Sequence, residues 1–376
     1  LQERMLESYS NFENLLILSC CLFMLLWALH QWRIHRLNFN TPEVQITPPL
    51  SVIICARNAD EQLTEYLPKV LNQDYPEFEV IVVNDCSYDS TEQVIEEYQK
   101  IFPQLRSTTI KEDDYYKHGK KFAVLVGIKA ARFEHLVFTD ADCYPHSEKW
   151  LKHIAASYNQ GNEVVLGYGA YQKQKGLINL LIRWDTFYNA LFFLSHCQKS
   201  KAISGVGRNM GYLKSRFYKE KGFSNHYHLL SGDDDLFVNY AASHTKMGVY
   251  ADSESITYSK PKTTFWEWTL QKARHLTTSP LYSANSKLKL LYHFSLHYGF
   301  YLLLILMLCF KSLLLLGIAF WLLKSVLHFI LLRQPTKKLL ESDLGFTFLL
   351  LEPLWLVLLP WFKLHSLRFK SEFWMR

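Results

Sequence analysis

Apolar runs separated by polar connections recur through the first half of the chain. Residues 50–55, 78–83 and 135–139 are nearly continuous apolar runs, which is typical of parallel β-strands buried on both faces. Residues 61–71 carry apolar side chains at helical spacing after the first run, and residues 94–98 mark an amphipathic helix after the second. Strands and helices that alternate in this order predict a Rossmann-like α/β domain.

Longer apolar stretches lie on either side of this domain. Residues 14–32 contain no Asp, Glu, Lys or Arg and are long enough for one membrane span. Residues 297–310 and 312–332 predict a helical hairpin, and residues 344–362 predict a further segment broken by its two prolines. We therefore expect one membrane segment before the α/β domain and about three after it.

The charges beside these segments indicate an orientation. Arg33 and Arg36 follow the first span, so the positive-inside rule places the α/β domain in the cytoplasm, on a multi-pass protein of the plasma (inner) membrane. A cleaved signal peptide is the competing interpretation, but residues 3–13 are acidic rather than basic, and no small-residue cleavage site follows. Three full crossings after the domain would send the basic tail at 363–376 outside, so one of those segments can instead be re-entrant or interfacial.

Two features near the membrane segments have more than one interpretation. Glu352, inside the last apolar segment, either faces the protein interior or an acceptor path, or lies near a membrane interface. Residues 175–199 predict a helix with one broad apolar face. That face either lies on the membrane surface and guides a lipid acceptor, or packs against the α/β domain.

The paired carboxylates of Asp140-Ala-Asp142 directly follow the third apolar run. Alternate residues at the carboxyl end of a parallel strand can point the same way, into the crevice where α/β sheets bind ligands. Two carboxylates in that crevice suit a hard divalent cation, Mg²⁺ or Mn²⁺, which would grip a diphosphate. Taken alone, the same pattern also fits a solvated turn.

Other polar clusters add candidate chemistry. Asp85 falls at the end of the second predicted strand, whereas the polar residues at 89–91 fit a helix N-cap better than a catalytic role. The three aspartates at 233–235 either open a solvated helix or supply a carboxylate that takes the proton from an attacking hydroxyl. Gln271 and Arg274 lie three apart on one helical face, where Arg274 offers a fork to phosphate oxygens.

Composition is consistent with one α/β domain plus membrane segments. The chain has 376 residues and a net charge of +6, a mild basic excess that suits anionic headgroups and diphosphates. No concentrated stripe of Lys and Arg predicts nucleic-acid binding. The seven cysteines include no Cys-x-x-Cys, so we expect reduced, buried thiols.

In this order, these residues resemble the family 2 glycosyltransferases, inverting enzymes with a GT-A fold that include cellulose and hyaluronan synthases. The resemblance runs from about Pro49 to Ser279. The matching segments are Ser51-Val-Ile-Ile-Cys-Ala-Arg57-Asn58, Asn84-Asp85-Cys-Ser-Tyr-Asp89-Ser-Thr91, Gly119-Lys120-Lys-Phe-Ala-Val, Thr139-Asp140-Ala-Asp142, Gly205-Val-Gly207-Arg-Asn209-Met-Gly-Tyr212, Gly232-Asp233-Asp234 and Gln271-Lys-Ala-Arg274-His275.

The resemblance implies a role for each matched position. Asp234 is the expected catalytic base, with Asp233 as the neighbouring candidate, and Asp140 and Asp142 are the expected metal ligands. Asp85 is expected to contact the nucleobase. The residues expected to bind the donor are Asp85, Arg57, Lys120, Asp140, Gln271 and Arg274, and those expected to bind the acceptor are Gly207, Asn209 and His275.

The sequence departs from the family pattern at two positions, one that bears on the product and one that bears on the catalytic base. Synthases that extend polymers usually end their last motif Gln-x-x-Arg-Trp, where the Trp lines the acceptor channel, but His275 stands at that position here. Asp233 stands where many relatives have Glu, and Asp235 leaves the position of the base open by one residue.

These expectations combine into one domain plan and one function. Residues 1–36 would form a membrane anchor, 37–286 a GT-A glycosyltransferase domain, and 287–376 the remaining membrane segments and a basic tail. The expected activity is metal-dependent, inverting transfer of a sugar from a nucleotide-sugar donor to a lipid-linked or glycolipid acceptor at the cytoplasmic membrane face. The alternatives are a processive polysaccharide synthase that extends and exports a polymer, a phosphohydrolase of the Asp-x-Asp type, and a non-catalytic membrane scaffold.

Overall fold

The computed structural model describes residues 2–39, 46–112, 119–227, 229 and 231–368, with side chains from residue 10 onward in the first helix. The strands are β1 Leu50–Ala56, β2 Phe78–Asp85, β3 Leu105–Ile110, β4 His135–Asp140, β5 Cys143–Pro145, β6 Val164–Gly167, β7 Gly169–Tyr171, β8 Met210–Leu213, β9 Met247–Tyr250 and β10 Thr257–Ser259. The helices are α1 Gln2–His35, α2 Asp60–Leu71, α3 Thr91–Ile101, α4 Lys120–Ala130, α5 Trp150–Asn159, α6 Leu177–Cys197, α7 Lys214–Lys219, α8 Asp235–Ala241, α9 Phe265–Leu276, α10 Ala284–Leu308, α11 Leu314–Lys338 and α12 Leu344–Arg368.

A seven-stranded sheet in the order β3-β2-β1-β4-β8-β6-β9 forms the centre of the α/β domain. β1 pairs in parallel with β2 on one side and with β4 on the other, so that Cys55 lies opposite both Val83 and Asp140. The chain therefore reverses its direction of travel across the sheet at β1, and such a switch point opens a ligand crevice at the carboxyl ends of the strands. This arrangement confirms the Rossmann-like α/β prediction.

Helices cover both faces of this sheet. Leu63, Leu67 and Ile95 pack from α2 and α3 on one face, and Ala123 and Ile128 pack from α4 on the other. α4 lies very close to the sheet at Gly127, where a Cβ atom would meet the Ile53 side chain at 2.5 Å. Because α4 cannot move away without losing this packing, the residue at its amino end, Lys120, has a fixed position over the crevice.

A smaller sheet of three strands, in the order β5-β10-β7, stands beside the first. β10 pairs antiparallel with β5 and parallel with β7, so that Tyr258 lies opposite Tyr144 and Ala170. This sheet follows directly from β4 through β5 and therefore forms a wall of the crevice on the side of Asp142.

Within the described residues, four helices are long and apolar enough to cross a membrane, namely α1 from Ser10 onward, α10, α11 and α12. Their outward faces are rich in exposed leucine, as at Leu22, Leu302, Leu315 and Leu350. The chain therefore has the one plus three apolar segments that the sequence predicts. The expected break in the last segment is wrong, because α12 runs without interruption through both of its prolines.

α6 lies between the α/β domain and these apolar helices. Trp184, Phe187, Tyr188 and Leu191 on α6 are fully buried, and the helix contacts α1 and α12 as well as β7. Of the two interpretations of residues 175–199, the structure therefore supports packing rather than a free membrane-facing surface.

All seven cysteines are free thiols, as expected from the sequence. The expectation that all of them are buried is wrong, because Cys21 and Cys309 are exposed. Both lie on or beside apolar helices, where an exposed thiol faces the same surroundings as the exposed leucines nearby.

Candidate active site

The loops after β1 and β2 are tied together at the carboxyl edge of the sheet. Asp89 accepts hydrogen bonds from the backbone N–H of Thr91 at 3.0 Å and of Asp60 at 3.3 Å, so that it links the starts of α2 and α3. Asn58 and Cys86 adopt positive φ values of 49° and 54°, which lets each strand end turn sharply. Asp89 is thus a loop-holding residue, in agreement with its interpretation as part of a cap.

The candidate donor-binding residues on these loops come from adjacent strands. Arg57 follows β1, Asp85 ends β2 and Asp140 ends β4. Asp85 is only 2% exposed, whereas Arg57 is half-buried. The parallel register brings all three strand ends to the same edge, so the structure places these candidates along one crevice.

Asp140, Asp142 and Cys143 form a compact group that could hold a metal ion. Their ligand atoms all lie within 4.8 Å of one another. Burial raises the pKa of the Cys143 thiol well above its ordinary value, and the negative charges of Asp142 and Asp140 add to that rise. Cys143 therefore stays a thiol, donating to Asp142 Oδ1 at 3.4 Å, and the carboxylate pair suits a hard cation such as Mg²⁺ or Mn²⁺.

Lys120 bridges two groups of carboxylates from the amino end of α4. Its Nζ lies 2.8 Å from Asp140 Oδ1 and 3.3 Å from Asp233 Oδ2. Burial alone would lower the pKa of this ammonium group, but the charges of Asp140, Asp233 and Asp234 outweigh it and raise the pKa well above the ordinary value. Lys120 is thus a permanent cation between the metal-type carboxylates and the acidic cluster.

The three adjacent aspartates have different partners. Asp235 Oδ2 accepts hydrogen bonds from the hydroxyls of Thr278 and Tyr282, the latter at 2.8 Å. Asp233 faces Lys120 at 3.3 Å. Asp235 therefore holds α8 against the segment after α9, and it is the least available of the three for proton transfer.

Asp234 lies between the other two and opens α8 as its N-cap. Its Oδ2 accepts a hydrogen bond from the backbone N–H of Gly207 at 2.8 Å, and its Oδ1 accepts one from the N–H of Asp235 at 2.7 Å. Burial and the neighbouring charges of Asp233 and Asp235 raise the pKa of Asp234 to about 7, against the opposing charge of Lys120. A carboxylate with a pKa near 7 is well suited to act as a general base at neutral pH.

A pocket connects these groups. Its charged lining comes from Lys120, Asp140, Asp233 and Asp234, and Gly207 also lines it. A Cβ atom on Gly207 would lie 3.4 Å from both Asp234 Oδ2 and Lys120 Nζ, so glycine lets these two side chains approach the same backbone position. The structure therefore brings the candidate base and one metal-type carboxylate to a common cavity.

α9 carries the remaining candidates. A capping box between Thr264 and Glu267 fixes its start. Gln271 donates a hydrogen bond from Nε2 to the hydroxyl of Tyr171 at 3.1 Å, and Arg274 Nη2 lies 3.5 Å from Nε2 of the exposed His275. Gln271 is thus joined to the smaller sheet through Tyr171, beside the crevice.

Asn209, which is expected to bind the acceptor, lies inside the core and does not line the pocket. Asn209 is 0% exposed, and its side-chain amide is fully used inside the core. Its Oδ1 accepts from Trp150 Nε1 and the Tyr250 hydroxyl, both at 2.9 Å, while its Nδ2 donates to two backbone carbonyls, those of Tyr168 and Ser255. Asn209 therefore holds the segment just before β8, which also contains Gly207, against the core.

Arg208 is a candidate that the sequence interpretation missed. Its guanidinium carbon lies 4.2 Å from the centre of the Tyr171 ring, and its Nη1 donates to Ser259 Oγ at 2.8 Å. The backbone carbonyl of Arg208 accepts the hydroxyls of Thr139 and Thr257, so the residue is fixed beside the Asp140 strand. The sequence feature that could have identified Arg208 is a lone cationic residue within a stretch of small residues. Its contacts, however, are with residues far away in the chain.

The Rossmann-like sheet has paired carboxylates at its switch point and an acidic cluster that faces them. These features agree with the GT-A fold that the resemblance implies. Residues 51–219 match the family described as glycosyl transferase family 2. This match to residues 51–219 confirms the resemblance to the family 2 glycosyltransferases that the sequence shows.

Characterised and uncharacterised bacterial and archaeal proteins are similar to the same domain. An uncharacterized glycosyltransferase of Haemophilus influenzae is 26% identical over 179 residues, which cover 46% of this chain and 54% of the relative. Glycosyltransferase AglE of Haloferax volcanii is 29% identical over 194 residues, 50% of this chain and 59% of the relative. The poly(ribitol-phosphate) β-N-acetylglucosaminyltransferase TarS of Staphylococcus aureus is 34% identical over 118 residues, 31% of this chain and 20% of TarS.

The aligned part thus spans about half the length or less of the first two of the curated proteins it matches. Among solved structures, the mannosyltransferase PcManGT of Pyrobaculum calidifontis, in complex with GDP-Man and Mn²⁺, superimposes with a TM-score of 0.59 at 17% identity. This likeness covers 94% of the present chain and 98% of PcManGT. It shows a common fold that extends beyond the α/β domain into the apolar helices.

Proposed function

We propose that this protein is a metal-dependent, inverting glycosyltransferase. It moves a sugar from a nucleotide-sugar donor to a lipid-linked or glycolipid acceptor at the cytoplasmic face of the membrane. The observation that carries the proposal is the pocket in which Asp234, with a pKa raised to about 7, lies across Lys120 from Asp140. A base and a phosphate-binding corner in one cavity are the two parts that direct displacement at an anomeric carbon needs.

The donor site in this proposal is built from the ends of β1, β2 and β4. Asp85 selects the nucleobase, and Arg57 lies beside it on the adjacent strand end. Asp140 and Asp142 would hold Mg²⁺ or Mn²⁺, which when bound neutralises charge on the leaving diphosphate. The structure of PcManGT with GDP-Man and Mn²⁺ is in keeping with a metal of this kind.

Three cationic side chains supply further positive charge at the proposed diphosphate site. Lys120 lies 2.8 Å from Asp140 and therefore beside the position that the diphosphate takes. Arg274 and Gln271 approach from α9, and Arg208 approaches from the strand side through its contact with Tyr171. These side chains hold the diphosphate while the bond between its oxygen and the anomeric carbon breaks.

Asp234 performs the proton transfer. It accepts the proton of the acceptor hydroxyl as that oxygen attacks the anomeric carbon on the face opposite the nucleotide, so the configuration inverts. The hydrogen bond from Gly207 N–H, at 2.8 Å, holds the carboxylate in place during this step. Asp235 is excluded from the role by its two hydroxyl partners, and Asp233 is held by Lys120.

The acceptor is proposed to be presented by the membrane. The domain plan behind this proposal keeps residues 1–36 as an anchor, 37–286 as the catalytic domain and 287–376 as membrane segments and tail. His275 is exposed at the end of α9, where polymer-extending relatives place a Trp. A smaller, more polar side chain offers less stacking surface for a growing sugar chain, which favours transfer of a single sugar.

The decisive experiment identifies the product. The purified protein, a panel of labelled nucleotide sugars, Mn²⁺ and a lipid extract should give a product that partitions into organic solvent and gains the mass of one hexose-sized unit. The matched control is the Asp234→Asn variant, which should form this product at least about 100-fold more slowly.

Other products would separate the alternatives. A ladder or a high-molecular-weight aqueous product would show a processive polysaccharide synthase, and release of phosphate without sugar transfer would show a phosphohydrolase. Absence of any nucleotide-sugar binding in calorimetry, with metal present, would show a non-catalytic scaffold.

A further inference from the structure

Three of the four apolar helices lead away from the catalytic domain. The far end of α1 meets the turn between α10 and α11, where the rings of Phe12 and Phe310 lie 5.6 Å apart and Ser312 donates to Glu13 at 2.5 Å. The opposite ends of these helices lie at the domain, since Ser286 near the start of α10 is hydrogen-bonded to Asn239 at 2.9 Å. α1, α10 and α11 therefore run between a domain side and a far side.

α12 behaves differently, because the catalytic domain holds both of its ends. Just before its start, Asp343 pairs with Arg183 of α6 at 2.7 Å. Near its end, Phe362 packs on Trp268 of α9 with ring centres 4.8 Å apart, and Lys363 donates to Ser279 at 3.4 Å. A helix of 25 residues is about 37 Å long, so a helix that left the domain would carry one end far from it.

The middle of α12 is also held from the inside. Trp355 donates from Nε1 to Asp185 of α6 at 2.8 Å. Glu352, 1% exposed, accepts hydrogen bonds from Lys324 of α11 at 2.6 Å. One face of α12 is thus packed along its whole length against protein, and Glu352 belongs to that inner face.

The outer face of α12 is apolar and exposed. Its members, spaced at helical intervals, are Phe346, Leu350, Val357, Trp361, Leu364 and Leu367. Val357, in the middle of this face, is 72% exposed. Trp266 of the neighbouring α9 is 54% exposed beside the same end. A continuous apolar stripe of this length with tryptophans at one end fits the hydrocarbon and headgroup boundary of a bilayer.

We propose that α12 lies along the membrane surface, between the catalytic domain and the lipid, and does not cross. The chain then crosses three times, through α1, α10 and α11, and the end of α12 returns to the side of the catalytic domain. This arrangement keeps Lys363 and Arg368 on the same side as Arg33, as the charge rule requires. The inference rests on membrane attachment and not on the proposed transfer reaction.

The arrangement would also fix the depth of the active site. α9 packs on α12 through Trp268 and carries Gln271 and Arg274 to the crevice. A surface-lying α12 therefore holds these donor-side residues at a constant height above the lipid, where the hydroxyl of a lipid acceptor is presented.

Depth measurements test the inference directly. Nitroxide labels are placed one at a time at residues 346, 357 and 367 in a cysteine-free form of the full chain, in vesicles of neutral and anionic phospholipid. A surface helix should place all three at nearly the same shallow depth. A crossing helix would spread residues 346 and 367 by about 30 Å, and such a gradient would overturn the proposal.

A matched series on α11 shows what a crossing helix looks like in the same sample. Labels at Leu315, Leu322 and Ile330, all exposed, should give graded depths. If both series are graded, α12 crosses; a flat α12 series beside a graded α11 series supports the proposal. Thermal unfolding of each labelled protein confirms that it is folded.

Reporter fusions give an independent readout of sidedness. Alkaline phosphatase and green fluorescent protein are fused in turn after residue 376, inserted after Lys311, and inserted in the turn at Gly161 of the catalytic domain. The fusion after residue 376 should report the same side as the insertion at Gly161, and opposite to that at Lys311. Agreement between the residue 376 and Lys311 reporters would contradict a surface position of α12, whatever the enzyme's activity.

Discussion

Two buried charge clusters in this protein are built from similar residues in opposite proportions. In the candidate catalytic pocket, one ammonium group, that of Lys120, faces the carboxylates of Asp140, Asp233 and Asp234. The paired side chains remain partly accessible, 24% for Lys120 and 29% for Asp140. Among the apolar helices, a single carboxylate, Glu352, accepts from Lys324, His297 and His328 and is 1% exposed.

The difference in balance separates a ligand site from a structural joint. The catalytic cluster has more carboxylates than cations and opens to a pocket, so a cation and a phosphate ligand can complete it. The helix cluster is balanced and sealed, and it joins α10, α11 and α12. The excess of carboxylates in an accessible pocket therefore indicates a ligand site. The paired and buried charges among the helices indicate a structural contact between helices.

The largest effect is expected from removing the metal or its ligand in the catalytic cluster. Asp140 and Asp142 repel a diphosphate unless a cation lies between, so chelation or Asp142→Ala should lower nucleotide-sugar affinity by more than roughly 100-fold. Titration calorimetry with and without Mn²⁺ measures this. Asp74→Ala, at an exposed surface ion pair, is the matched control and should change nothing. Undiminished affinity in excess chelator would contradict the metal assignment.

Removing the base should separate chemistry from binding. Asp234→Asn keeps the size and the hydrogen bond to Gly207 but cannot take a proton, so kcat should fall by about 10² to 10⁴-fold while donor affinity stays near that of the wild type. Single-turnover kinetics beside donor titration measure both quantities. If Asp233→Asn shows this pattern and Asp234→Asn does not, the base lies one residue earlier.

Substitutions in the helix cluster should change the stability of the protein rather than its activity. Glu352→Ala leaves Lys324 buried without its carboxylate, and breaking a buried pair in this way costs about 3 to 5 kcal/mol of unfolding free energy. Thermal or denaturant unfolding in detergent measures the loss. The double variant Glu352→Ala/Lys324→Met removes both charges and should recover much of it. A single variant as stable as the wild type would show that the pair is not a structural joint.

The smallest expected effect is the pH dependence of turnover. Burial and like charges raise the pKa of Asp234 to about 7, so the carboxylate is mostly protonated at pH 6 and mostly ionised at pH 8. Because only the ionised form accepts a proton, kcat should rise by about tenfold between these values and level off above them. Donor affinity followed over the same range serves as control. A flat profile in this range would contradict a base with this pKa.

Much of the fold and of the candidate site was predictable from local pattern. Continuous apolar runs at β1, β2 and β4 mark strands buried on both faces, and polar residues at their ends mark the crevice. The acidic motifs were found for the same reason, since Asp140, Asp142 and Asp234 occupy strand ends and a helix start that sequence alone can locate.

Other features required contacts between residues far apart in the chain. Asn209 and Gly207 stand two apart in one motif, yet one is saturated inside the core and the other lines the pocket. Asp233, Asp234 and Asp235 are the same type of residue. Their contacts distinguish them, with Lys120, Gly207 and Tyr282 respectively. No property of the local sequence contains these pairings.

The sequence by itself determined which segments are apolar, which are amphipathic and where the acidic motifs fall, because side-chain chemistry and periodicity are local properties. The tertiary structure decided which contacts distinguish the three adjacent aspartates, where the amide of Asn209 is bonded and how α12 packs on the domain. The pKa and the hydrogen bonds of a carboxylate depend on the groups that surround it. Hydropathy cannot distinguish lipid from a neighbouring helix, because both remove apolar surface from water. That is why a mostly apolar segment of 25 residues could specify a helix but not whether it crosses the membrane.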